Sequence, residues 1–185
     1  MGSKRSLSLD TLHTFITFTL LLLVAIVLIP TSASANWLHT YGITSKHELN
    51  QPSVATKLAK ALKDPNPKIR LASIKYLMRL GAGGKDAIPE LGEVLAKDFN
   101  IKIRLFAADA LATIGGAYDE DAAFHLIKAL TDPNVHIRKR ALLNLQKSRY
   151  NGTDLQAALQ KMAAVEPNPG LKKIATGILD RKSVV

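Results

Sequence analysis

The sequence contains no cysteine. That excludes disulfides, thiolate zinc sites and cysteine nucleophiles together. Aromatic residues make up 5% of the 185 residues, with Trp37 the single tryptophan, so surfaces on which nucleic-acid bases could stack are scarce. The five histidines, His13, His39, His47, His125 and His136, form no His-x-x-x-His pair and stand at no metal-ligand spacing. No metal site is expected; His125 reads as a helix-surface residue and His136 as a first-turn residue. A Gly-x-Ser-x-Gly elbow is missing, and Gly81-Ala82-Gly83-Gly84-Lys85-Asp86 has neither the spacing nor the following Ser or Thr of a phosphate-binding loop. It reads as a flexible joint. Glu90/Glu93 and Asp119/Glu120/Asp121 fall where helices are expected to begin, and the macrodipole accounts for acids there. These absences point away from an enzyme and away from any cofactor.

Positive charge is in excess: 25 Lys+Arg stand against 15 Asp+Glu, a net +10. Residues 1–35 hold Lys4, Arg5 and Asp10, so the remainder keeps a net charge of +9. Such a field favours an acidic protein, an anionic membrane surface, a polyanionic glycan or a nucleic acid, and it also serves plain solubility.

Residues 1–35 read as an export signal. Lys4 and Arg5 precede an apolar run from Phe15 to Ile29, Pro30 breaks it, and Thr31-Ser32-Ala33-Ser34-Ala35 places Ala at both cleavage-site positions. Counted from Leu12, the stretch is 18 residues, the short limit for a spanning helix, so an uncleaved anchor is the rival reading. In either case the positive flank stays inside and the rest of the chain crosses. Met1-Gly2-Ser3-Lys4-Arg5-Ser6 fits the loose myristoylation pattern, which conflicts with export. Residues 36–51 match no later stretch of the chain; Trp37, Leu38, Tyr41 and Ile43 are expected to cover the exposed first end of the periodic region that begins at Pro52.

That region repeats itself. Asp64-Pro65-Asn66-Pro67-Lys68-Ile69-Arg70 recurs as Asp98 to Arg104, as Asp132 to Arg138, and as Glu166 to Lys172, each beat 34 residues after the last. A fixed period of this length marks an array whose units each leave an apolar face for a neighbour. Asn66, Asn100, Asn134 and Asn168 stand where a helix N-cap belongs, and Pro67 and Pro169 take the first helical position. Ile69/Ile103/Ile137/Leu171, Ser73/Ala107/Ala141/Ala175 and Leu77/Leu111/Leu145/Leu179 then follow at i, i+4, i+8. One helix face therefore carries a small residue and a Leu. Gly81 and Gly115 are the expected C-caps.

The spacing predicts four helix pairs. First helices are expected over Pro52–Lys63, Ala87–Lys97, Asp121–Thr131 and Asp154–Val165, and second helices over Pro67–Leu80, Ile101–Ile114, Val135–Ser148 and Pro169–Arg181. Leu58/Leu62, Leu91/Leu95 and Leu126/Leu130 place matching pairs on the first helices. Asn151-Gly152-Thr153 is a glycosylation sequon, but Asn-Gly reads better as a turn, with Thr153 and Gln156 forming a capping box. With no alternating stretch of strand character, the fold class is all-α.

Asp-Pro-x-x-x-Ile-Arg followed by Ala, Leu and Gly resembles the HEAT-repeat family, in particular the short repeats of phycobilisome lyases. Ala87-Ile88-Pro89-Glu90-Leu91 opening a first helix is similar too. The resemblance covers residues 52–182. Tetratricopeptide repeats share the period but not the residue pattern. The fourth copy departs most, with Glu166 for Asp, Lys172 for Arg and Gly177 within the last helix; Asp180-Arg181-Lys182-Ser183 is a polar tail suited to a closing end.

The resemblance implies a short right-handed α-solenoid of about four helix pairs. It also implies a ladder in which Asp64, Asp98, Asp132 and Glu166 bond with Arg70, Arg104, Arg138 and Lys172 across neighbouring turns. Second helices would line a concave face, gathering Lys102, Arg138, Lys139, Arg140, Lys147 and Lys173, with Arg104, Arg149 and Lys172 nearby, as a basic surface for an acidic partner. The alternative is that several of these are absorbed by the ladder or merely solvated. The expected function is an exported or membrane-tethered, non-enzymatic scaffold that binds protein. A bilin lyase-like, tetrapyrrole-handling enzyme is the alternative, which export disfavours, and a nucleic-acid-binding array the lesser one; no nucleic acid is expected.

Overall fold

A computed structural model describes residues 36–45, 48 and 53–182. Residues 1–35, for which an export signal is expected, and His47, Pro52 and Ser183 lie outside the described residues. The chain divides into two compact units, 1–40 and 41–185. The described part of the first is helix α1 (Asn36–Thr40), in which Trp37 and Leu38 are buried. These two belong to the first unit and not to that of the repeats.

In the second unit the helices come in pairs. They are α2 (Ser53–Ala61) with α3 (Pro67–Leu80), α4 (Ile88–Lys97) with α5 (Ile101–Gly115), α6 (Glu120–Lys128) with α7 (Val135–Lys147), and α8 (Thr153–Val165) with α9 (Pro169–Lys182). The second helices α3, α5, α7 and α9 pack in succession. In the other row α2 meets the segment leading into α4, α4 packs on α6, and α6 on α8. The helices of this second unit form an all-α solenoid.

Periodicity sets this packing. Ser73, Ala107, Ala141 and Ala175 are all fully buried, because the small side chain is what lets successive second helices approach. Leu77, Leu111 and Leu145 one turn on, and Leu58/Leu62, Leu91/Leu95 and Leu126/Leu130 on the first helices and the turns that close them, complete the core. Each such side chain contributes about 1.5–3 kcal/mol by leaving water. Ser73 is the one polar member of its row, and its hydroxyl donates to the Ile69 carbonyl at 2.9 Å.

The four beats share one hydrogen-bond scheme. Asn66, Asn100, Asn134 and Asn168 cap their helices, accepting from Lys68 N, Lys102 N, His136 N and Leu171 N at 2.9–3.1 Å. Each beat's acid in turn accepts from that Asn's own N–H, at 2.7 Å for Asp64 and 3.1 Å for Glu166. The Arg reaches forward. Arg70 grips Asp98 with Nε and Nη2 at 2.7 and 3.0 Å, Arg104 grips Asp132, and Arg138 grips Glu166 with both donors at 2.8 Å. Arg70 Nη1 also donates to the carbonyl of Asp64 at 2.9 Å, and Arg138 Nη1 to that of Asp132 at 2.8 Å. Each rung thus ties a beat to the acid of the next. Glu166 is therefore held by Arg138, and Lys172 turns to the Ala164 carbonyl at 3.5 Å. At the other end Asp64 accepts from Tyr41 Oη at 2.7 Å, Lys57 donates to the Gly42 carbonyl, and Ile43 is buried.

Three local expectations change. Gly81–Ala87 is a 3₁₀ helix and not a flexible joint. Gly84 is buried in it, and a Cβ there would stand 3.1 Å from the Leu77 carbonyl and 3.2 Å from Ile114 Cδ1. Gly84 is there for closeness, whereas Gly81, at φ +51°, closes α3 as its C-cap, and a Cβ on it would meet nothing within 4 Å. The C-cap of α5 is Gly116, at φ +69°, while Gly115 is the last helical residue and abuts Ala122 on α6. Thr153 is the first helical residue of α8 behind Gly152, so no capping box forms. Tyr150 instead donates to Asp154 at 2.8 Å.

Candidate functional site

The repeats differ most on the face of the second helices. Between α3 and α5 runs a groove of about 500 Å³ lined by Ala72, Lys75, Tyr76, Met78, Arg79, Phe106 and Thr113. Sharing Met78 and Thr113, it continues between α5 and α7 as a hollow of about 520 Å³. This second part is lined by Asp109, Ala112, Gly116, Ala117, Arg140, Asn144, Lys147 and Ser148. Helix periodicity explains the lining: Arg140, Asn144 and Lys147 fall on one side of α7, opposite the side that buries Leu142.

The floor of the groove is a polar cluster that no other repeat contains. Asn144, 6% exposed, donates through Nδ2 to the Ala108 carbonyl at 3.0 Å and to Asp109 Oδ1 at 3.1 Å. Arg140 Nη1 donates to both Asp109 oxygens at 2.9 and 3.2 Å. Asp109 thereby holds Arg140 through one nitrogen, Nη1, at the lining of the groove. Lys75 Nζ stands 5.5 Å from the centre of the Phe106 ring, and the Arg79 guanidinium 5.9 Å from that of Tyr76, so two further cations rest on aromatic faces. Four cations thus meet one carboxylate along the groove.

The basic residues expected from sequence divide. Arg140 and Lys147 line the groove. Arg138 is withdrawn into the ladder with its side chain 13% exposed, as is Arg104 at 11%. Arg138 cannot serve the face as well, because its bond to Glu166, strong enough to raise the guanidinium above its ordinary pKa, takes its donors. Lys102, Lys139 and Lys173 are exposed but do not line the groove. Lys75, Arg79, Tyr76 and Phe106 were not anticipated; their only sequence signal is that they interrupt the repeat.

His125 is half-buried and not a surface residue. Its ring sits against Gly92 of α4, and burial lowers its pKa, with Lys128 adding to the shift and Asp121 opposing it. Among the described residues no group of three or more His, Asp or Glu could hold a metal ion, and no helix is long and apolar enough to cross a membrane.

A family model described as HEAT repeats matches residues 88–179. The chain belongs to the HEAT-repeat family. The match takes in the second, third and fourth beats, including the Asp109–Arg140–Asn144 cluster. It is to HEAT repeats at large and does not single out those of phycobilisome lyases. HEAT arrays generally serve as protein-interaction scaffolds. No curated protein matches the chain.

Proposed function

We propose that this HEAT array is a non-enzymatic scaffold that holds an acidic segment of a protein partner along the second-helix groove. The observation that carries this reading is the groove itself: Lys75, Arg79, Arg140 and Lys147 face it against Asp109 alone, at positions where the repeats diverge. An Arg whose Nη1 is anchored is pre-organised for a carboxylate, since little rotamer freedom is left to lose. Tyr76, Phe106 and Met78 add apolar contact between the charges.

The test is binding of a fluorescent Asp/Glu-rich peptide, read by anisotropy. Arg140→Ala with Lys147→Ala weakens it about tenfold or more, as loss of two charge-assisted contacts requires. Lys139→Ala with Lys173→Ala, outside the groove, leaves it within about twofold if only the general field is disturbed. Equal effects of both pairs would reduce the groove to unspecific positive charge. The scaffold is proposed to act beyond a membrane, exported or tethered through residues 1–35. A mature mass beginning at Asn36 supports export, full-length protein in the membrane fraction supports a tether, and full-length soluble cytoplasmic protein refutes both.

A further inference from the structure

The turns within the four helix pairs lie on one edge of the array, where the ladder runs. Directly after the acid, three beats have Pro and one has Phe99, whose side chain is fully exposed at 101%. Ile101, two residues on, is 45% exposed, and Val165, on the same edge about two repeats away, is 69% exposed. Phe99 makes no contribution to the fold that Pro would not make: Asp98 before it is at φ −62°, ψ 135°, the conformation a following Pro requires. Phe99 and Ile101, two residues apart, thus put two large apolar side chains into solvent on this edge.

Charge on this edge is sorted. Three of the four beat acids are turned inward: the side chains of Asp98, Asp132 and Glu166 are 4%, 8% and 3% exposed in their Arg rungs. Lys68 and Lys102 are exposed beside the turns, and Lys97 two residues before Phe99. Asp64, Glu90 and Glu93 lie on the same surface as Phe99, but Asp64 accepts from Tyr41 and Glu93 is spanned by Lys63 and Lys97 at 3.4 and 3.6 Å. Protruding apolar side chains within a cationic rim suit the interface of an anionic bilayer, where aromatic rings settle at headgroup depth and lysines draw acidic lipids.

We propose that the ladder edge is a peripheral docking surface for anionic membranes, with Phe99 and Ile101 inserting and Lys68, Lys97 and Lys102 facing the headgroups. This surface is separate from the groove and acts whatever residues 1–35 do.

The test uses the full chain, which has no cysteine of its own, so Phe99→Cys takes a single polarity-sensitive dye. Tyr118→Cys, in the joint between α5 and α6 on the opposite edge, takes the control dye. On phosphatidylcholine vesicles containing phosphatidylglycerol, the dye at position 99 shifts to the blue and is quenched by brominated lipid, and the dye at 118 does neither. Lys68→Gln with Lys102→Gln lowers the bound fraction signalled at 99 by about twentyfold in partition coefficient. The proposal is overturned if the dye at 99 stays aqueous while the chain sediments with the vesicles. It is equally overturned by the same shift on pure phosphatidylcholine, or by a shift without lipid on concentrating the protein, which would make the edge a contact between copies. An N-terminal tether alone cannot mimic the expected result, because it leaves both dyes in water.

Discussion

A Cβ placed on Gly92 would fall 2.1 Å from Nδ1 of His125 and 2.2 Å from Cε1, so the imidazole occupies the space that a side chain on α4 would need. Gly92→Ala is therefore expected to destabilise the array by about 1–3 kcal/mol through overpacking. His125→Ala in the same chain should recover part of the loss, a coupling that denaturant unfolding of the double-mutant cycle measures. The same residue makes stability depend on pH. Because burial lowers the pKa of His125, the unfolded chain takes up the proton first. Its contribution is complete above the ordinary value of about 6.5 and is lost as pH falls through the lower folded value. Glu166 behaves likewise lower on the scale. Its hydrogen bonds to Arg138 outweigh burial and hold its pKa down, so its contribution is present above about 4.5 and disappears as pH falls through the folded value. Unfolding midpoints should decline in two steps on acidification, and Glu166→Gln should shrink the lower step, to which Asp119, held low against its burial by its hydrogen bonds and by Lys85, also contributes.

Two arginines of similar sequence context separate at the level of helices and turns. Arg104 joins one pair to the next, bonding Asp132 and donating to the Leu95 carbonyl at 2.6 Å, with both ion-pair side chains close to buried. Arg104→Ala is expected to cost about 3–5 kcal/mol, since it strands a buried carboxylate. Arg140, 44% exposed against Asp109, belongs to a pair screened by water, and Arg140→Ala should cost about 1 kcal/mol or less while weakening peptide binding. Thermal unfolding beside anisotropy distinguishes the two. Sequence announced the rungs because their residues recur every 34 positions, together with the caps and most helix limits. It did not show that each Arg serves the following beat: spacing within a beat favours its own acid, and only stacking brings Asp98 to Arg70. Glycine misled at residues 81–84 because flexibility and tight packing use the same residue.

Across the whole array, each repeat meets only its neighbours, so stability is expected to be distributed by nearest-neighbour terms. Arg70→Ala should loosen the first pair, with faster amide exchange in α2 and α3 and little change in α8 and α9. Exchange rising uniformly along the chain would mean a single cooperative unit. The groove is a property of this scale, which is why so little of it could be read in advance. Lys75 with Phe106 and Asp109 with Arg140 are equivalent pairs one repeat apart, each brought together through stacking alone. The basic run Arg138-Lys139-Arg140 looked like one surface, yet its members face the ladder, the solvent and the groove in turn, as a rotation of about 100° per residue requires.

The forward-reaching rungs also give the array unequal stiffness. On the turn edge, three charged forks fasten neighbouring pairs. On the far edge the links are single bonds: the Lys85–Asp119 pair at 2.9 Å, with Lys85 53% exposed, the Arg149 N–H to the Ala117 carbonyl at 2.7 Å and Arg149 Nη1 to Tyr118 Oη at 3.1 Å. A load that spreads the repeats would open the far edge first and bend the array about its ladder as a spine. The groove would change width while the spine kept its length, so a bound segment would act as a clip on a spring.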